Sequence, residues 1–489
     1  MIRLTHSTHV IAHSVNFTAQ HRHTRHQVEG CWLKLLGIFG MLLLTSLAAP
    51  IVQAEPITLT ENQALSLFFQ RNLDLLVARY NIENALAQEL ISAAIPNPTL
   101  SAQILEISNN SGQNSTSIGC AQTYVNSGGN HNCGPAQYYT FTQLLEMAGK
   151  RGLRMQSSAI ATQAAEIDFR DAVRILTNLV RTNYYQLLQS QKILELYQSI
   201  VNYYKDISSS NRLRHQAGDI AESDLLRIEI EEMRAQSDLD AASAAVEQAQ
   251  ASLAMILNWP DKSLAFVASS EWPTLTDIGQ KLTADQLMNK ALASRPDLQA
   301  DKLRADQAEI DLTRARRLKF PDITFNAGYA RDPGNTVLNT GFVGISMPLP
   351  LFYQYQGEES QSAVQLNQTR LAAEQTELAI RNDVENAYAA WKSADTIYIR
   401  FETALVNNAR QVRERMELAY QKGGTTVLDF IQAQRDYKTV MLDYYTATIN
   451  RIDAYYGLAK ALGVEPGSES QANNHLPLTV NTDRQGKIN

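Results

Sequence analysis

The sequence predicts a mainly α-helical fold with a small β part, built from one unit used twice. Residues Arg71 to Ala102 align without a gap on Ser294 to Phe325 at an offset of 223, placing Asn72-Leu73-Asp74-Leu75 on Arg295-Pro296-Asp297-Leu298 and Pro98 on Pro321. A second match follows at an offset of 205: Gln216-Ala217-Gly218…Asp224-Leu225 falls on Gln421-Lys422-Gly423…Asp429-Phe430. From Gly149 to Gly218 no proline interrupts the chain, room for on the order of 100 Å of helix. A period this long lies outside the short solenoid repeats. Each unit reads as helix, strand pair, long helix, turn and returning helix.

Leu59 to Ile95 shows apolar residues at helical spacing (Leu65, Phe68, Phe69, Leu73), with Glu61 in the first turn, and predicts one helix. Pro96 and Pro98 stop it. Thr99 to Ile107 suits a strand, 108–135 is a loop of Asn, Ser and Gly, and Tyr138 to Leu144 returns as a strand. The second copy alternates more clearly: Ile323, Phe325, Ala327 and Tyr329, then Val343, Ile345 and Met347, around the turn Arg331-Asp332-Pro333-Gly334-Asn335. Two hairpins with one apolar and one small or polar face are the weak signature of an outer-membrane barrel. Four strands cannot close a barrel, and open edges are not tolerated in lipid. If these strands span a membrane, several chains share the barrel.

The returning helix keeps a 3-4 repeat through Leu225, Ile228, Ala235, Leu239, Ala242, Val246, Ala249, Leu253 and Ile256, broken at Glu232. Its counterpart runs from Phe430 through Ala433, Tyr437, Val440, Tyr444 and Ala447 to Ala461. Sustained heptads mean left-handed supercoiling, and alanine at the seam permits close approach.

Ile38 to Val52, behind Lys34 and ahead of Val52-Gln53-Ala54, reads as a secretory signal cleaved after Ala54. Six of nine histidines lie at or before His26; an over-long start and an extended n-region both remain open. Downstream of residue 55 no run approaches the roughly 20 apolar residues of a membrane helix. Without residues 1–54 the chain carries 39 Lys and Arg against 49 Asp and Glu. That balance excludes nucleic acid as a partner, which needs a basic footprint. Cys120 and Cys133 share one polar loop of an exported chain, so a disulfide is expected. The expected division is 1–54 N-terminal region and signal, 55–260 first repeat, 261–280 linker, 281–463 second repeat and 464–489 disordered tail.

The chain resembles the TolC-like outer-membrane efflux family, and most closely its CzcC-like heavy-metal branch. The carrying residues are Gly344-Ile-Ser-Met-Pro-Leu-Pro-Leu-Phe352 with Gln356-Gly357-Glu358, Gln143-Leu-Leu-Glu146…Gly149-Lys-Arg-Gly-Leu-Arg154, and the tips Ala217 to Arg227 and Tyr420 to Phe430. The resemblance implies a homotrimer in outer-membrane lipid. Its four strands per chain form a shared twelve-stranded barrel, and its helices form a long coiled-coil α-barrel in the periplasm. Pro98, Pro321, Pro348 and Pro350 then lie where strands hand over to helices. The resemblance also implies a periplasmic adaptor (a membrane fusion protein) and an inner-membrane RND pump as partners, and a passive duct for divalent heavy-metal cations. A multidrug or type I secretion duct shares the architecture. A periplasmic coiled-coil structural or adaptor protein is the alternative from another class.

Gly218 and Gly423 would form the periplasmic tips, where a tight reversal favours glycine. Asp224 and Asp429 sit near the starts of returning helices, where a carboxylate meets the positive dipole end, so helix capping is an equal reading. In the family an aspartate matching Asp429 lines the constricted entrance; the next one falls on Gln432. Asp224 and Tyr420 match partners in the family's closing latch, whose arginine falls on Thr425. His215, Asp219 and Glu222 crowd the first tip, and His131 sits with Cys120 and Cys133; either set could touch a divalent metal transiently. No metalloprotease, hydrolase, redox or phosphate-loop motif is present, so neither enzyme chemistry nor a cofactor is expected.

Overall fold

The computed structural model describes residues 57–105, 136–259, 266–269, 271–275, 283–331 and 339–464. In chain order the first copy has β1 (Ile57–Leu59), α1 (Glu61–Arg71), α2 (Leu73–Ala93), β2 (Thr99–Leu105), β3 (Ala136–Leu145), α3 (Lys150–Gln216) and α4 (Glu222–Ile256). The second has β4 (Phe266–Ala268), α5 (Ala284–Ser294), α6 (Pro296–Arg316), β5 (Ile323–Arg331), β6 (Asn339–Ser346), α7 (Gln356–Arg400), α8 (Val406–Gln421) and α9 (Val427–Leu462). A π turn, Phe401–Leu405, joins α7 to α8.

The same local chemistry starts both copies. Thr60 and Gln63 cap α1 reciprocally, and Thr283 and Gln286 do the same for α5. The single helix expected over Leu59 to Ile95 is two. Asn72 takes an extended backbone (φ −65°, ψ 129°), its Oδ1 accepts from the Leu75 N–H at 2.8 Å, and its Nδ2 donates to the Ile256 carbonyl at 2.8 Å. One side chain thus ends α1, starts α2 and binds the end of α4. In the second copy Arg295 holds the corner and Pro296 opens α6.

Leu59 lies in a strand, not a helix. β1 pairs in parallel with β4, Ile57 to Phe266 and Leu59 to Ala268, so the expected linker carries a strand that ties the start of one copy to that of the next. Around this pair lies the main core, including Phe68, Tyr184, Leu187, Leu188, Leu287 and Leu458. Each such side chain contributes about 1.5–3 kcal/mol on burial. Tyr184 keeps its polar end satisfied by donating to the Leu59 carbonyl at 2.9 Å.

α3 spans 67 residues and packs antiparallel on α4, with Ile228, Ala235, Ala242, Val246, Leu253 and Ile256 of the heptad pattern buried. The buried acid is Glu231 rather than the seam position Glu232. Among the described residues no helix is long and apolar enough to cross a membrane.

The four longer strands form one antiparallel sheet in the order β2-β3-β5-β6. Its register puts Leu100, Phe141, Ala327 and Val343 on one rung and Thr99, Thr142, Asn326 and Gly344 on the next. Neighbouring rungs face opposite sides, so one face is mainly apolar and the other mainly small or polar. On the polar face the Thr142 hydroxyl donates to Asn326 Oδ1 at 3.1 Å. Gly328 must lack a side chain, because a Cβ there would lie 2.6 Å from the Tyr139 carbonyl oxygen. The strand expected to reach Met347 ends at Ser346. The signal, the 108–135 loop and the tail lie outside the described residues.

Candidate functional site

Two regions concentrate polar structure: the rim where strands become helices, and the turns at the far ends of the helical hairpins.

At the rim, Pro98 directly precedes β2, Pro321 lies between α6 and β5, and Pro348 and Pro350 lie between β6 and α7. A proline lacks the N–H that a continuing strand or helix would use. Both long helices start from a left-handed residue, Gly149 (φ 67°) before α3 and Tyr355 (φ 62°) before α7. The basic run after β3 grips the first junction. Lys150 Nζ is buried, donating to the Phe320 carbonyl at 2.8 Å and pairing with Asp322 at 2.7 Å. Asp322 also accepts the Met147 N–H at 2.8 Å. Arg151 donates to the Ala93 carbonyl, and Arg154 to those of Ser92 and Ala94 while pairing with Glu146 at 2.6 Å. These guanidiniums satisfy the orphan carbonyls at the negative end of α2. The motif was visible in the sequence; its partners, some of them about 170 residues away, were not.

The tips are alike. Gly218 (φ 82°) and Gly423 (φ 73°) are left-handed. The Gly218 N–H donates to the His215 carbonyl and that of Asp219 to Arg214; Gly423 donates to Tyr420 and Gly424 to Ala419. Both are the paired bonds of a Schellman stop. Asp219 and Glu222 are exposed there.

Tyr420 is buried and stacks on Phe430 at 4.7 Å between ring centres. Its hydroxyl donates to Asn211 Oδ1 at 2.6 Å, and the Arg214 guanidinium lies 5.5 Å over its ring. Burial pushes the Tyr420 phenol up, partly offset by the Arg214 charge and reinforced by Asp224. Asp224 pairs with Arg227 along its own helix at 3.7 Å. The two latch-matching residues are therefore electrostatic neighbours, while the phenol's hydrogen bond goes to Asn211. Nothing in the sequence pattern singled out Asn211.

Asp429 is exposed at the start of α9. Its Oδ2 accepts from the Thr426 hydroxyl at 2.7 Å and from Thr425 at 3.3 Å, and its N–H donates to Thr426 Oγ1. The Thr426 hydrogen bond, with lesser help from Thr425, holds its carboxyl below the usual range. Gln432, one turn on, donates to Asp436 at 2.8 Å. His215 Nδ1 lies 3.2 Å from the Ile220 carbonyl oxygen, which takes up that ring nitrogen. Among the described residues no three His, Cys, Asp or Glu side chains gather to hold a metal ion. Cys120, His131 and Cys133 lie outside them.

Further along the hairpins, Glu231 of α4 meets Arg435 of α9 at 2.5 Å and Arg234 at 2.8 Å, and Lys438 pairs with Asp238 at 3.0 Å. Burial alone would raise the Glu231 carboxyl; the two guanidiniums outweigh it and hold the group low. The two copies are thus joined by charge pairs between their returning helices.

With this geometry in place, likeness to known proteins is informative. The outer membrane efflux protein family matches residues 64–258 and 287–464. The chain is 22% identical over 393 residues to the cobalt-zinc-cadmium resistance protein CzcC of Cupriavidus metallidurans, covering 79% of this chain and 85% of that one. It is 23% identical over 291 residues to the outer membrane efflux protein BepC of Brucella suis, covering 57% and 61%. The fold superposes on the transmembrane channel protein CusC with a TM-score of 0.68 at 16% identity, over 83% of this chain and 92% of that one. Both copies being matched, the chain belongs to the outer membrane efflux protein family, whose members are passive outer-membrane channels and not enzymes.

Proposed function

We propose that three copies of this chain form one exit duct of a tripartite efflux system, and that its cargo is divalent heavy-metal cations. The observation that carries the assembly is the sheet: four antiparallel strands, mainly apolar on one face and mainly small or polar on the other, with β2 and β6 left as open edges. In lipid such edges must be paired. An even number of strands per copy lets β6 of one chain meet β2 of the next antiparallel, and three copies make twelve strands. In this reading residues 55–260 and 281–463 are equivalent repeats. The helices extend from the rim into the periplasm, and the glycine tips face a membrane fusion protein that joins the duct to an RND pump, which supplies the energy.

The cargo rests on two supports. The first is the similarity to CzcC, named for cobalt, zinc and cadmium resistance. The second is the exposed Asp429, repeated by symmetry into an anionic ring that would concentrate cations. The test is a strain lacking this protein, with and without complementation, challenged with divalent metals and with dyes, detergents and antibiotics. Sensitivity confined to metals supports the reading. Sensitivity to organic compounds alone keeps the duct and overturns the cargo.

A further inference from the structure

The outgoing helix of the second copy changes its buried stripe at one point. Up to the π turn, α7 keeps a 3-4 repeat toward its own chain through Ile380, Val384, Ala387, Trp391, Ala394 and Tyr398, and none of these is exposed. The repeat reaches Phe401 and, continued, would take Leu405, Asn408, Val412 and Arg415. All four are exposed, Leu405 by 43% and Val412 by 52%. The stripe instead resumes one residue later, through Val406, Ala409, Arg413, Met416 and Tyr420, none of them exposed. The first copy has no such step. In its continuous α3 the residues Val173, Val180, Leu187, Leu194, Val201 and Ser208, seven apart, are all unexposed.

The extra residue is held in the π turn. There the Val406 N–H donates to the Phe401 carbonyl, five residues back rather than four. One residue taken up in this way turns everything beyond it by about 100° around the helix axis. The turn is pinned above and loose below. Above it, Arg451 of α9 pairs with Asp395 at 2.7 Å and lies 4.3 Å over the Tyr398 ring. The Tyr398 hydroxyl in turn donates to Glu402, inside the π turn, at 2.9 Å. Below it, Tyr420 is the one buried residue of α8. α9 is tied to the first copy, through Arg435 to Glu231 and through Gln434 to the Tyr203 hydroxyl. Of the two helices that reach this tip, α8 is the less firmly held.

We propose that α8 has two registers, separated by the one residue stored in the π turn. In the observed register that residue sets Tyr420 in the stripe, on Phe430 and Asn211. In the other, the π turn closes into α-helix and the residue passes to the tip. Gly423 and Gly424 stand there where the first copy has Gly218 and Asp219, and a second glycine lets the backbone take it up. Leu405, Asn408, Val412 and Arg415 then enter the stripe, Ala419 replaces Tyr420, and the hydrogen bond to Asn211 is lost. The exposed Leu405 and Val412 are what the second register buries. The observed stripe carries one strongly polar member, Arg413, and the alternative two, Asn408 and Arg415, so the latched tip is the major state. That the slip opens a duct rests on the reading above; the existence of two registers does not.

The test reads the register directly, in the full chain carrying Cys31→Ser, Cys120→Ser and Cys133→Ser, oxidised in isolated outer membranes. The Arg413 guanidinium lies 4.3 Å over the Tyr437 ring, so Arg413→Cys with Tyr437→Cys should form an intrachain disulfide in the observed register. Val412→Cys with Tyr437→Cys should form one only in the slipped register. Asn408→Leu with Arg415→Leu, added to each pair, makes the second stripe apolar. It should raise the Val412 cross-link roughly fivefold relative to the Arg413 one. An unchanged ratio overturns the two registers. Deletion of Thr403 removes the stored residue and puts Val406, Ala409, Arg413, Met416 and Tyr420 in one unbroken repeat with α7. In planar bilayers the double-leucine chain should conduct roughly threefold more than wild type, and the same chain lacking Thr403 no more than wild type. Registers that exchange with no change in conductance overturn the release of the tip. If no chain conducts, wild type included, the duct reading falls, and the cross-link ratio alone decides the registers.

Discussion

The Tyr420 hydroxyl donates to Asn211 Oδ1 at 2.6 Å, tying the end of α8 to the last turns of α3 and so one tip to the other. Both residues are buried, and Phe430 stacks on the Tyr420 ring. Tyr420→Phe removes the donor and strands the Asn211 acceptor, at a cost of about 1–3 kcal/mol. The expected outcome is a looser tip: higher conductance in planar bilayers and greater uptake of large antibiotics by cells. Asp224→Asn removes a charge that pairs along its own helix and should do much less. Equal effects of the two substitutions would argue that the aspartate, not Asn211, is the working partner.

Glu231 and Arg435 join the returning helices of the two copies. Glu231 is nearly buried while Arg435 is partly in water, so Glu231→Gln should cost about 2 kcal/mol, below the 3–5 of a fully buried pair. The folded state holds this carboxyl below its ordinary 4.5. Its contribution is therefore complete above about pH 4.5 and is lost as the pH falls through the folded value. Thermal unfolding of wild type and Glu231→Gln should differ at pH 7 and converge in acid. A gap that persists unchanged at pH 3 would place the stabilisation elsewhere.

The elements with local signatures were legible in the sequence: proline-free helices, alternating hairpins, glycine tips and the heptad seam of α4. What the sequence hid depends on partners distant in the chain. The break at Asn72 could not be read because Leu65 to Tyr80 keeps helical spacing straight through it; the corner is secured partly by the Ile256 carbonyl, 184 residues on. β1 and β4 are three residues each, too short for an alternation to register. The latch carried over by resemblance placed Tyr420 at the tip and missed Asn211, an ordinary polar residue in a helix. Glu231 sits beside the seam position Glu232, and only packing against α9 selects it.

Asp453 behaves oppositely to Glu231. It lies on α9, where its Oδ1 is buried without a hydrogen-bond partner among the described residues. Burial raises its carboxyl, with only partial relief from Thr182. An acid raised on folding contributes stability below its unfolded value and loses it as the pH rises through the folded value. Asp453→Asn should therefore be neutral or stabilising at pH 7, and its advantage over wild type should shrink on acidification. Melting temperatures across pH 4 to 8 measure this directly. A variant clearly less stable than wild type at pH 7 would mean the ionised carboxylate has a stabilising partner.

Asp429 sets a last expectation, about charge at the entrance. Its carboxyl is exposed and held ionised by Thr426 and Thr425, so it stays anionic at and somewhat below its ordinary 3.8. A cation beside one exposed carboxylate in water is attracted only weakly, and salt weakens this further. Three copies around a narrow opening would act on the same ion. Asp429→Asn should therefore shift the reversal potential in a salt gradient toward zero selectivity, most visibly at low ionic strength. Gln432→Asp adds a carboxylate one turn further along and should shift it the other way, since its present partner Asp436 is already acidic and cannot neutralise it. Because holding the hydroxyl of the Thr426 N-cap would also explain Asp429, the readout that separates the roles is selectivity rather than stability. If Asp429→Asn lowers the melting temperature and leaves the reversal potential unchanged, the residue serves to hold the Thr426 cap of α9 and the ion path runs elsewhere.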